Sequence, residues 1–277
     1  MRRPVYLALV SSAVIGLAAM VSAGSSRNAV LADSGCTNHS LRGPYGFAVE
    51  GQTGATSTGT EPGEIAAAGQ IRFDGNGGLT GNEWESFNGA ITTITFSGTY
   101  TVNSDCTGRA AVHNGMTATF RLMLVERGQE VNIIESDQGV VAAGQITRQE
   151  LQRCSNATFR GVYGFAASGS FFASPGTPSE LFDLAVWARI VADGRGHATQ
   201  QTSASVNGAY SEANETAMYT VNPDCTGSAT LFHSNGTTEH VNFVIVERGT
   251  EIKFISIEPG AVFAGSIDKQ PSDEGED

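Results

Sequence analysis

Several sets of residues in the sequence are of types that can do chemistry. Glu83 and Glu85 project from one face of a strand-like run, with Trp84 on the other. Paired carboxylates serve as acid and base in glycoside hydrolysis, but that reaction needs them facing each other across a substrate. The five histidines, His39, His113, His197, His233 and His240, lack the spacing of a metal cluster and read as solvated side chains. Asp74-Gly-Asn-Gly-Gly-Leu-Thr-Gly81 touches two loop motifs and fits neither. Thr80 stands where a dinucleotide loop has its third glycine, and a calcium loop needs a further oxygen ligand and a distal glutamate. It reads as a hairpin turn. No Gly-X-Ser-X-Gly elbow is present, and all four cysteines are assigned to disulfides, so nucleophilic hydrolase chemistry finds no support. No catalytic residue, metal or cofactor is assigned.

Other residues are conspicuous because they occur twice. Glu126 and Glu247 are each followed by Arg-Gly, and Asp105 and Asp224 each precede a cysteine; turn hydrogen bonds or ion pairs are their expected duty. Tyr45, Phe47, Tyr163 and Phe165 read as barrel wall and core. With an open mouth they would line a pocket, and they are the candidate ligand-binding residues. Asn38, Asn156, Asn214 and Asn235 lie in Asn-X-Ser/Thr sequons, which matter only in a glycosylating host.

The framework that positions these residues is an internal repeat. Cys36 to Phe47 matches Cys154 to Phe165, and Tyr100-Thr-Val-Asn-Ser-Asp-Cys-Thr-Gly108 matches Tyr219-Thr-Val-Asn-Pro-Asp-Cys-Thr-Gly227. The displacement is 118 residues at the first cysteines, 119 at the second, and 121 at the Val-Glu-Arg-Gly turns. Insertions confined to loops are what a duplicated folded unit shows. Each copy contains eight runs rich in aromatic and β-branched residues and no helical period, which predicts all-β structure. On the sixth strand Phe120, Leu122 and Leu124 match Val241, Phe243 and Ile245, and that face is expected inward. In second-repeat numbering, Glu83 and Glu85 become Thr202 and Ala204, so the carboxylate pair is not duplicated.

Eight strands in up-and-down order place the Asp-Gly-X-Gly, Asp-Cys-Thr-Gly and Glu-Arg-Gly turns at one end with both termini. The long connections, 51–63 and 169–179, fall at the other end. The expected fold is therefore two tandem eight-stranded antiparallel up-and-down barrels, each with a laced bottom and a looser mouth. Small residues at Ala66–Ala68 and Ala142–Gly144 predict modest interior space. Of three connectivities, Cys36–Cys106 with Cys154–Cys225 keeps each bridge within one repeat and at one barrel end.

Residues 1–23 carry Arg2 and Arg3, an apolar run over Val5–Val21 and a Val21-Ser22-Ala23 cleavage site, which predicts an export signal rather than a span. Residues 24–35 read as a flexible linker, 36–149 and 154–270 as the barrels, and 271–277 as a disordered acidic tail. The formal net charge is −12 and only two basic residues are lysines. No basic stripe exists, which argues against nucleic acid as a partner. A secreted or periplasmic protein with no stable membrane span after cleavage is expected, with disulfides suited to that compartment.

The Arg-Gly-X-Tyr-Gly-Phe, Asp-Gly-X-Gly, Tyr-Thr-Val-Asn-X-Asp-Cys-Thr-Gly and Val-Glu-Arg-Gly-X-Glu phrases together resemble a group of exported bacterial proteins of unknown function. The likeness covers both repeats. The implied architecture is similar to the allene oxide cyclase, lipocalin and avidin-like small barrels, from which no ligand or catalytic residue carries over position by position. The functional expectation is a non-enzymatic protein binding a small apolar ligand or a surface partner. A barrel isomerase or cyclase, or a structural or adhesive extracellular module, is the alternative.

Overall fold

Alternating apolar and polar runs separated by glycine turns fold here into antiparallel strands. The computed structural model describes residues 35–54, 63–175 and 181–271. The expected export signal, the linker up to residue 34 and the tail from 272 lie outside the described residues.

In the first repeat, β1 (Arg42–Thr53), β2 (Gly63–Asp74), β3 (Gly78–Phe87) and β4 (Ala90–Val102) are followed by β5 (Thr107–His113), β6 (Thr117–Val125), β7 (Glu130–Glu135) and β8 (Val140–Arg148). Each strand pairs with the next, and β8 returns to β1 from Tyr45↔Arg148 to Thr53↔Val140, closing the barrel. The second repeat begins with β9 (Arg160–Phe172), β10 (Leu181–Asp193), β11 (His197–Val206) and β12 (Ala209–Val221). It continues with β13 (Thr226–Phe232), β14 (Thr238–Val246), β15 (Glu251–Ser256), β16 (Ala261–Val262) and β17 (Ala264–Lys269). Here β9 pairs with β10 on one side and with β16 and β17 on the other, completing a second barrel.

The predicted eighth strand of the second repeat is thus split at Phe263. Its ladder to β9 holds at Ala261↔Phe171 and Val262↔Ser170 and again at Asp268↔Gly164, but not between. Within that stretch the Ala264 amide donates instead to Glu50 Oε1 of the first barrel, 2.9 Å away. Burial pushes Glu50 up to about 7, and that hydrogen bond partly offsets the shift.

The closed ends are laced as expected. Disulfides join Cys36 to Cys106 and Cys154 to Cys225, both with Cα atoms 4.9 Å apart. Asp105 Oδ1 accepts from the Thr107 amide and hydroxyl, and Asp224 does the same for Thr226. The recurring Glu-Arg-Gly turns are left-handed at all three residues, with Arg127 at φ 58° and Gly128 at φ 85°. Such backbone is costly for side chains with a Cβ. At Gly128 an added Cβ would also stand 2.5 Å from Ser40 O, so only glycine fits. A tyrosine clamps each turn from below: Tyr45 Oη donates to Gly128 O and Tyr163 Oη to Gly249 O, both at 2.9 Å.

The barrels share an apolar contact. Ala48, Ala66, Ala68 and Trp84 of the first pack with Phe172, Ile255, Val262 and Ala264 of the second. Ala66 and Ala68 therefore point out of their barrel, not into it. Their small size reflects close barrel-to-barrel approach rather than a narrow interior, which corrects that part of the sequence expectation. Polar struts flank the contact. Lys253, fully buried, reaches Glu251, Ser266 and, across the interface, Gln145.

Candidate functional site

The inward faces decide what each barrel can hold. In the first, Phe96 on β4 lies across the interior, 6.2 Å from the Phe47 ring centroid, and is nearly fully buried. Gly81 on β3 makes room for it, since a Cβ there would sit 2.3 Å from Phe96 Cζ. At the matching positions of the second repeat, 119 residues on, stand Glu215 and Gln200. The plug and its socket are both replaced. A cavity of about 310 Å³ occupies the second barrel, at the lower end of the roughly 300–1,000 Å³ usual for small-molecule sites.

The cavity has an apolar floor and, toward the mouth, a polar cluster set among Leu184, Val186, Leu231 and Val241. Toward the laced end Phe159 packs on Tyr219 and Phe243 with centroids 4.8 and 5.7 Å away, while Phe165, Phe254 and Phe263 form a second aromatic group. Tyr219 Oη is committed to Phe159 O at 2.7 Å, leaving its ring as wall. Toward the mouth, His233 Nδ1 lies 2.6 Å from Glu215 Oε1. Thr202 Oγ1 donates to Glu215 Oε2 at 2.9 Å, and Gln200 Nε2 reaches both Thr202 Oγ1 at 2.9 Å and Glu215 Oε2 at 3.4 Å. His233 Nε2 is turned toward Glu239 Oε2, 3.8 Å away. The Glu215 side chain is 7% exposed, and those of His233 and Glu239 are 25% and 29% exposed. Burial raises the Glu239 carboxyl above its ordinary range; the Ser256 hydroxyl and His233 act against that rise, and the charges of Glu258 and Glu215 reinforce it.

A carboxylate that fixes one imidazole nitrogen sets the tautomer and leaves the other nitrogen free to act. The Glu215–His233 pair has that form. His233 was expected to be solvated and is instead a cavity residue, whereas its counterpart region in the first barrel keeps His113 exposed, bonded to Thr117 Oγ1. The sequence did carry a signal for Glu215: it shares strand parity with Ala217 and Tyr219, both inward.

Of the four candidate ligand residues, Phe165 lines the cavity and Phe47 packs beneath the Phe96 plug. Tyr45 and Tyr163 are buried at the laced ends with their hydroxyls spent on the turns. Glu83 and Glu85 lie on the inward parity of β3, with Glu135 of β7 joining them. Burial pushes Glu83 up to about 7, with help from the charges of Glu85 and Glu135. Burial raises Glu135 to about 7 as well, reinforced by Asp137 and Glu85. No cation is among the groups that act on either carboxyl. Two of the sequons are structural, because Asn38 Oδ1 accepts from the Val102 amide and Asn156 Oδ1 from the Val221 amide. A wide cleft of about 1,100 Å³ between the barrels carries Arg42, Arg72, Arg148 and Arg248, but Arg148 is committed to Tyr45 Oη and Arg248 to Glu150. Among the described residues no group of three or more His, Cys, Asp and Glu is arranged to hold a metal ion.

No protein family matches this chain, and no curated protein shows significant similarity to it.

Proposed function

We propose that the chain is an exported, non-enzymatic carrier or sensor that holds one small, largely apolar molecule inside its second barrel, the first serving as a filled, supporting module. The observation that carries this reading is the cavity itself: aromatic and aliphatic below, with a few convergent polar groups above, as ligand sites are built. Eight strands give an interior with room for one small ligand, as in calycin-like barrels. Export to the periplasm or medium is supported by the two disulfides and the signal-like first 23 residues.

The oriented Glu215–His233 pair is the one observation favouring the isomerase or cyclase alternative, since a positioned imidazole can move a proton. Fluorescence titration with the neutral probe N-phenyl-1-naphthylamine tests the binding reading. A saturable, one-site enhancement is expected. Absence of saturable binding, together with ligand-free protein in native mass spectra of material taken from its own compartment, would overturn it.

A further inference from the structure

The polar cluster of the cavity is unbalanced in charge. Its lining contains two carboxylates, Glu215 and Glu239, one imidazole, His233, and no lysine or arginine. An anionic head group brought here would be buried beside two acidic side chains without a fixed cation, and like-charge juxtaposition at a buried contact costs several kcal/mol. Fatty acids and other carboxylates are therefore poorly matched.

The two glutamates are not equivalent. Glu215 is supplied with donors from Thr202, Gln200 and His233, so both of its oxygens are occupied. Glu239 faces His233 at 3.8 Å, longer than a hydrogen bond, and among the described residues the Ser256 hydroxyl is the other donor acting on it. An ionised carboxylate has about four acceptor sites, so Glu239 has capacity that its surroundings do not fill. Burial, reinforced by the charges of Glu258 and Glu215, holds its carboxyl up against the Ser256 hydroxyl and His233. A donor arriving from the cavity would satisfy it, and a cationic donor would do so most strongly.

We infer that the ligand is a small amphiphilic amine, its aromatic or aliphatic body packed on the Phe165, Phe243 and Phe254 floor and its ammonium donated to Glu239. This rests on the reading of the cavity as a ligand site. Three probes of one shape separate the possibilities: 3-phenylpropylamine, 3-phenylpropan-1-ol and 3-phenylpropanoate, each competing with N-phenyl-1-naphthylamine for the full mature protein at pH 7.5. The amine should displace the dye at least tenfold more tightly than the alcohol, and the carboxylate should be weakest. Glu239→Gln should abolish the amine's advantage over the alcohol. A carboxylate that binds as well as the amine, or an amine no better than the alcohol, overturns the inference and leaves apolar binding intact. If neither the dye nor any probe binds, the cavity reading itself fails and the inference with it. The wild-type probe series decides the matter even if the variant does not fold.

Discussion

Importing the plug of the first barrel into the second tests whether the interior is the binding place. The perturbation is Glu215→Phe with Gln200→Gly, which recreates the Phe96 and Gly81 arrangement at matching positions. A fully buried phenylalanine contributes about 1.5–3 kcal/mol relative to an exposed one. Against it stand the lost charge-assisted contact between Glu215 and His233, about 1.5–3 kcal/mol, and a glycine introduced into a strand, about 0.5–1 kcal/mol. These nearly cancel, leaving a net loss of about 1 kcal/mol. For a folded unit of this size that is about 2–4 °C in Tm. Binding should respond quite differently, because the new ring would cross the space in which the ligand body lies. N-phenyl-1-naphthylamine affinity should fall more than tenfold in a protein whose melting has barely moved. A folded double variant that binds the dye with wild-type affinity would refute the assignment of the site to this barrel. One that fails to fold would refute the estimate of a net loss of about 1 kcal/mol.

The remaining predictions concern stability. Each disulfide closes a loop of about 70 residues (separations 70 and 71), so replacing either pair by serines should cost about 4 kcal/mol on the chain-entropy account, read by equilibrium denaturation; a loss below 1 kcal/mol would show that the bridges do not constrain the unfolded chain. Glu50→Ala removes the acceptor for the Ala264 amide in the split strand and should cost about 1–3 kcal/mol, whereas Glu50→Gln should cost less; equal losses in thermal melts would mean that the strut is unimportant. Glu83 and Glu135 have folded values near 7 against an ordinary 4.5, so the folded state holds protons that the unfolded state releases between those values, and stability falls as pH rises through that window. The doubly substituted Glu83→Gln, Glu135→Gln protein should therefore gain Tm at pH 8 relative to wild type and gain much less at pH 5; an equal gain at both would exclude titration as the cause.

Strand order, barrel ends and cysteine pairing were legible in the sequence because they depend on local pattern and repetition. Alternation on the sixth strand placed Leu122, Leu124, Phe243 and Ile245 correctly in the two cores. Parity also contained more than its aromatic residues showed: read down from Tyr219, it puts Glu215 inside. What a single strand cannot show is which outward faces are covered. Val244 and Val246 have the parity of the polar Asn242 yet are buried, because the first barrel packs on them. Ala66 and Ala68 mislead for the same reason. His233 lies just past the end of β13, where no periodicity applies, and only the folded barrel brings it to Glu215.

The repeat's recognisable phrases and its functional differences occupy separate regions. The residues shared by both copies, from the tyrosine clamps to the Asp-Cys-Thr-Gly turns, gather at the laced ends, where they hold left-handed backbone and bridge the cysteines. The inward residues of the upper halves diverge: phenylalanine and glycine in one barrel face glutamate and glutamine in the other, and glutamates at 83 and 135 stand where the second has Thr202 and Ser256. A β-barrel tolerates this because its ladder is backbone-made, so the wall persists while its lining changes. In the second barrel Glu215 is held by Thr202, Gln200 and His233, and the far nitrogen of that histidine turns toward Glu239. In the first, Glu83, Glu85 and Glu135 gather without such donors and are pushed toward neutrality instead. The contrast argues that the second interior is organised around its polar set, whereas in the first burial raises the carboxyls of Glu83, Glu85 and Glu135, helped by neighbouring acidic charges at Glu83 and Glu135.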